Sequence, residues 1–179
     1  MVKAILNDEM IQALSGLKGG ILENIEGTFD NDEVFGNVRI NTSQGCIDLE
    51  CTPKTERYFD TEEDLCYFSC LLADKEQKFN PYIKRKAKKK IIKEKIENIN
   101  LIRATIELPK NNYAIEIDQA IEIKMPKNTI LFIIQGCFTE NIQIAMNEVL
   151  DDIYPISKVI EFWSEDGEQA IVKRIVIEV

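Results

Sequence analysis

The chain has 179 residues, 45% hydrophobic and 30% charged, with a net charge of −9 and no histidine. That composition fits a globular chain long enough to bury a core without metals or disulfides. The missing histidine excludes Ser-His-Asp and Cys-His catalysis and every histidine-containing metal site. The five cysteines, an odd number, and the absence of an export signal point to reduced thiols and a cytoplasmic protein. The longest apolar run, Ile130 to Ile134, is far too short for a membrane span.

In chain order, Asn7 is placed to cap a short helix through Leu14, ended by Ser15 and Gly16. Ile21 to Phe29 reads as a strand. Val34 to Asn41 and Gly45 to Thr52 read as a hairpin, with Ile47 and Leu49 on one face and Cys46, Asp48 and Glu50 on the other. Thr61-Glu62-Glu63-Asp64 has the form of a helix cap followed by first-turn acids. Leu65 to Leu72 fits a strand equally well.

Asn80-Pro81 then predicts the start of a basic helix near 81–97. The segment Ile83–Lys95 holds Lys84, Arg85, Lys86, Lys88, Lys89, Lys90, Lys93 and Lys95 against one acid, Glu94. It is therefore +7, and the rest of the chain is −16. As a helix it carries like-charge i,i+4 pairs that each oppose it by about 0.2–0.5 kcal/mol. Its apolar positions also drift: Ile83, Ala87 and Ile91 lie on one side, Ile92, Ile96 and Ile99 on another. The expectation is a solvated first half and a docked second half.

Beyond Asn100 the pattern turns to strands. Ile102 to Leu108 alternates, and Pro109 to Asn112 is a turn. Tyr113, Ile115, Ile117, Ile121 and Ile123 predict a buried strand face broken by Gln119. Ala114, Glu116, Asp118, Ala120, Glu122 and Lys124 predict an exposed one. Thr129 to Phe138 is apolar on both faces at its centre and predicts a strand covered from both sides. Thr139 to Asp152 has helical spacing. Ser157–Trp163 and Gln169–Val179 read as a last hairpin around Glu165-Asp166-Gly167.

The expected fold class is α+β: predominantly antiparallel β-sheet with two or three helices. The expected organisation is a single compact domain, 1–179, with 1–75 and 98–179 as possible lobes joined by the basic segment.

No motif assigns a reaction. Cys46, Cys51, Cys66 and Cys70 lack zinc-knuckle spacing, and Cys46 and Cys51 point to opposite faces of a strand about 16 Å apart. Asp118, Glu122 and Lys124 follow the D…ExK order of metal-dependent nucleases. Along a single strand, however, the two carboxylates stand about 13 Å apart. Asp30-x-Asp32 lacks the glycine and distant glutamate of a calcium loop. The glycines match no phosphate-binding pattern. No metal and no cofactor are expected.

Charge carries the functional expectation. Acids cluster at Asp30/Asp32/Glu33, Glu62/Glu63/Asp64, Asp151/Asp152 and Glu165/Asp166/Glu168. Such a body repels nucleic acid and attracts basic protein surfaces. The sequence points to a non-enzymatic, acidic protein-binding module of inhibitor, immunity or anti-defence type, directed at a basic, nucleic-acid-handling partner such as a nuclease. Asp30, Asp32, Glu33, Glu62, Glu63, Asp64, Glu165, Asp166 and Glu168 are its candidate contacts. The alternative is nucleic-acid binding through Lys84, Arg85, Lys86, Lys88, Lys89, Lys90 and Lys93.

Overall fold

A computed structural model describes residues 1–31, 33–83, 85–164 and 167–179. In chain order the elements are β1 (Val2–Ala4), α1 (Asp8–Ser15), β2 (Ile21–Asp30), β3 (Glu33–Thr42), β4 (Cys46–Tyr58) and β5 (Thr61–Ala73). There follow β6 (Lys88–Lys95), β7 (Asn98–Leu108), β8 (Tyr113–Lys124), β9 (Thr129–Ile133) and β10 (Asn141–Met146). The chain ends with α2 (Leu150–Ile153), α3 (Ile156–Trp163) and β11 (Ile171–Glu178). The α+β class and the predominance of antiparallel sheet are as expected; α1 is capped by the Asn7 side chain, which accepts from the Met10 amide. No helix among the described residues is long and apolar enough to cross a membrane.

The strands pair in the order β11-β7-β8-β9-β10-β3-β2-β6. β6 runs directly into β7 through Ile96 and Glu97. The Ile96 amide donates to Gly20 O, its carbonyl accepts from Gly19 N, and the Glu97 amide donates to Lys124 O. β6, one end of the path, is therefore joined in the chain to β7, which stands next to the other end, and the sheet coils around one interior. Leu22, Ile25, Val38, Ile40, Ile99, Leu101, Ile121, Ile123, Phe132 and Ile144 fill that interior, with Leu14 of α1. A second apolar layer lies on the outer face of β7, β8 and β9. There Ala104, Ile106, Ile117, Leu131 and Ile133 pack against Tyr154, Val159 and Trp163 of the α2–α3 segment. β9 is thus covered from both sides, as its sequence predicts.

Two strands branch. β3 pairs with β10 through residues 33–35 and with β4 through residues 37–41. β8 pairs with β9 through residues 120–124 and, in parallel, with β1 through residues 115–117. β4 and β5 form one hairpin whose pairing runs unbroken from Cys46↔Ala73 to Tyr58↔Thr61.

Several expectations are corrected. The basic segment is not a helix near 81–97: Lys88–Lys95 is a strand on the free edge beside β2, and the described residues between 81 and 87 hold no helix. An extended strand removes the i,i+4 repulsion among its lysines, and the burial of Ile96 and Ile99 belongs to the bend and to β7. Ile92 is only partly buried. Thr61–Leu72 is wholly strand, so the Thr61 cap is not used. Thr139–Asp152 is not one helix; Asn141–Met146 supplies the second partner that β9 needs, and only Leu150–Ile153 is helical. Ser157–Trp163 is helical, because Val159 and Trp163, four residues apart, both reach the outer apolar layer. β11 consequently pairs with β7 rather than closing a hairpin.

The β8 face also divides differently. Ile102 pairs with Ala120 and Arg103 with Asp118, so Gln119 is bulged out. One extra residue swaps the faces. Tyr113, Ile115 and Ile117 enter the outer layer, whereas Ile121 and Ile123 enter the interior. Asp118 and Ala120, expected to be exposed, are buried.

Candidate functional site

The β4–β5 hairpin turns through Phe59 and Asp60, and Phe59 holds a left-handed backbone, φ 53°. A bulky side chain rarely takes that conformation, and its cost must be offset by packing. The packing is visible: the Phe59 ring stacks on Tyr113 with centroids 4.7 Å apart and meets Tyr58 edge-on at 4.6 Å. Tyr58 also touches Phe138 at 5.2 Å and Trp163 at 5.7 Å. A cleft of about 650 Å³ opens beside this tip, lined by Tyr58, Phe59, Asp60, Thr61, Glu63, Lys110 and Asn111.

The loop between β9 and β10 carries a further exposed ring, Phe138. It is pinned at both ends. The Cys66 amide of β5 donates to Cys137 O at 2.6 Å, and the Gly36 amide of β3 donates to Glu140 O at 2.7 Å. Between these anchors Phe138 stands 46% exposed, and Phe162 of α3 lies 6.1 Å away and 41% exposed.

One of the predicted acid clusters borders this pair, and a second follows the hairpin tip. Glu33, at the start of β3, accepts from Asn141 and lines a shallow cleft with Gln135, Gly136 and Thr139, the residues flanking Phe138. Asp30 pairs with Glu33 across the β2–β3 turn and is exposed. Glu62, Glu63 and Asp64 open β5, all exposed, and Glu63 lines the cleft beside the hairpin tip. Thr61 donates to Glu63, and Thr55 donates to Asp64 at 2.7 Å. Glu168 is not part of this face: it accepts from the Lys110 and Asn111 amides at 2.6 and 3.1 Å and fixes the β7–β8 turn. Asp32, Glu165, Asp166 and Lys84 lie outside the described residues.

The basic candidates occupy a different place. Arg85 and Lys86 line a cleft with Glu26, Lys78 and Phe79. Lys88, Lys89, Lys90 and Lys93 are exposed along β6. Lys89 pairs with Glu26 at 3.4 Å, and Lys93 sits at a bulge with φ 63°.

The nuclease-like trio does not converge. Asp118 is fully buried, takes two hydrogen bonds from Arg103, at 2.7 and 3.2 Å, and accepts the Leu6 amide at 2.8 Å. Glu122 accepts from Asn100 at 2.6 Å and pairs with Lys124. Among the described residues no group of three or more cysteine or acidic side chains is arranged to hold a metal ion.

All five cysteines are free and buried. Burial pushes the Cys70 and Cys137 thiols up to about 12, and raises Cys51 further, with the neighbouring Cys66 adding to it. A thiol held neutral is a poor nucleophile. A disulfide reagent added at pH 8 is therefore expected to titrate almost no thiol in the native protein and all five after denaturation. Rapid native labelling would contradict the burial described here.

No family model, curated protein or solved structure matches this chain.

The sequence reading marked the acids and missed the rings. Tyr58 and Phe59 stand out in hindsight within the polar run Lys54–Asp64, where apolar side chains serve no strand face exposed to water. Phe138 and Phe162 carry no local signal, because their partnership spans two separate elements.

Proposed function

We propose that the protein is a non-enzymatic, acidic protein-binding module of inhibitor, immunity or anti-defence type, acting on a basic, nucleic-acid-handling partner. The reading rests on one observation above others: the exposed Phe138–Phe162 pair stands beside the cleft that Glu33 lines, and Phe138 touches Tyr58 of the hairpin tip from which the Glu62–Asp64 acids follow. Aromatic anchors supply most of the energy at protein interfaces, while a rim of one charge steers encounter with its opposite. Asp30, Glu33, Glu62, Glu63 and Asp64 are the rim in this reading.

Affinity capture from the native host, repeated after nuclease treatment, tests it. The expected prey is a basic protein that survives the nuclease. With that prey in hand, Phe138→Ala is expected to weaken binding by about 2 kcal/mol or more, through faster dissociation. Reversing Glu62, Glu63 and Asp64 to lysine is expected to slow association. Prey released entirely by nuclease, or binding indifferent to both changes, would refute the assignment.

The runner-up is nucleic-acid binding, favoured by the exposure of Lys88, Lys89, Lys90 and Lys93 along one edge strand, preceded by Arg85 and Lys86. Engagement of about five phosphates gives a slope near −4.5 in log K against log salt. The bland explanation competes directly, because lysines and bulges on edge strands guard against aggregation. Nanomolar binding to DNA or RNA at physiological salt, lost on neutralising these lysines, would promote the second reading over the first.

A further inference from the structure

Two strands terminate the sheet path, β6 and β11, and they are built in opposite ways. β6 has five lysines and a bulge at Lys93. β11, Ile-Val-Lys-Arg-Ile-Val-Ile-Glu, pairs with β7 over eight consecutive residues without a register shift, and it leaves Ile171, Ile175 and Val176 exposed. An open, regular, apolar edge invites another strand, and natural proteins normally guard one as β6 is guarded.

The hydrogen-bond phase says which residues face outward. The Val179 amide donates to Ile99 O, opposite it in the β7 ladder. In an antiparallel pair the bonded residues alternate. Residues 171, 173, 175 and 177 therefore spend their backbone groups on β7. Val172, Arg174, Val176 and Glu178 turn theirs away from it, and no backbone hydrogen bond from these four to any other described element is present.

We propose that the free edge of β11 pairs antiparallel with β11 of a second copy of this chain, about a two-fold axis at Ile175. That phase places Arg174 opposite the second copy's Val176 and Val172 opposite its Glu178, so the outward backbone groups of both strands meet. On the other face Ile175 meets the second copy's Ile175, and Lys173 meets its Ile177. Charge selects this arrangement. Arg174 is already held by Gln119, Asp151 and the Tyr154 carbonyl, and Glu178 by Lys18, so charge acts through the juxtapositions that the pairing avoids. A parallel, in-register pairing would set Lys173 against Lys173 and Arg174 against Arg174. The two-fold antiparallel pairing is also the self-complementary one that closes on a dimer. Of the two strands that end the path, β6 would set lysines against lysines in a second copy, whereas β11 would not.

Sedimentation equilibrium and light scattering across the micromolar range test the proposal. The expected result for the intact chain is a reversible dimer of twice 20.6 kDa. Val176→Lys and Ile175→Lys, each altering a side chain already exposed to water, are expected to give monomers at concentrations where the parent is dimeric, with unchanged circular dichroism and a melting temperature that no longer rises with protein concentration. Ile91→Lys on β6 is expected to leave the dimer intact. A monomeric parent throughout the range, a dimer indifferent to both β11 substitutions, or a dimer broken by Ile91→Lys alone would each overturn it.

Discussion

Asp118→Ala is expected to destabilise the protein by about 3–5 kcal/mol, the range found when one partner of a buried ion pair is removed. The Asp118 side chain is fully inaccessible, and that of Arg103 is 15% exposed. Its carboxylate answers three donors: Arg103 Nε, Arg103 Nη2 and the Leu6 backbone amide. Alanine would leave a guanidinium largely out of water and a backbone N–H without an acceptor. The site also sits beside the Gln119 bulge, where β8 exchanges its two faces, and it ties the segment after β1 to the sheet. Urea unfolding followed by circular dichroism measures the loss. The Asp118→Ala/Arg103→Ala double variant is expected to lose less than the sum of the two single changes, because both remove one interaction. A loss below about 1 kcal/mol for Asp118→Ala, the range of exposed pairs, would show that the carboxylate is not held as described.

The second large effect is expected at the bend between β6 and β7. Ile96 is fully buried in the interior, and its backbone bonds to both Gly19 and Gly20. Ile96→Ala is expected to cost about 2–5 kcal/mol from lost transfer energy and the cavity left behind. Neutralising Arg85, Lys86 and Lys88 is expected to change stability by no more than about 1 kcal/mol, since all three are exposed. Melting curves in the reverse order would reject this division of the basic segment into a solvated stretch and a structural bend.

How much of this was legible in the sequence depended on where each residue finds its partner. β8 as a strand and the doubly apolar centre of β9 were readable because burial on one or two faces writes itself into the local pattern; the exchange of faces at Gln119 was not, because the bulge is set by the pairing with β7. The Asn7 cap was readable because its acceptor and donor are three residues apart. Asn141–Met146 was not, since Ile142 and Met146 fit a helix as well as a strand; the deciding fact is the β9 edge that Ile144 and Ala145 pair with. α3 was hidden by its β-branched residues, and only the apolar layer outside β7–β9 makes it a helix. The basic segment misled because an Asn-Pro start and a lysine run favour a helix locally, whereas β2 offers Gly27 to Ile21 as a strand partner. The candidate site shows the same limit. Charges at Glu33 and Glu62–Asp64 were visible one by one, but the rings of the site come together from β4, α3 and the β9–β10 loop.

The coiling of the sheet also sets an order of events for the folding chain. β6 and β7 are separated by two residues, yet β6 ends the paired path and β7 stands next to its other end, so their own hairpin is never formed. The path becomes continuous only when β3 meets β10, where Glu33 and Asn141 come together across 108 residues of sequence. Local hairpins such as β4–β5 and β7–β8 can form early, but the interior cannot close until that long loop does. Loop-closure entropy has to be met before the contacts that reward it, which places this chain among the slow, high-contact-order folders. Substitutions at Val34 or Ile142, buried at the β3–β10 seam, should therefore register in the rate of refolding if the seam is formed in the transition state, and in the rate of unfolding if it is formed after it.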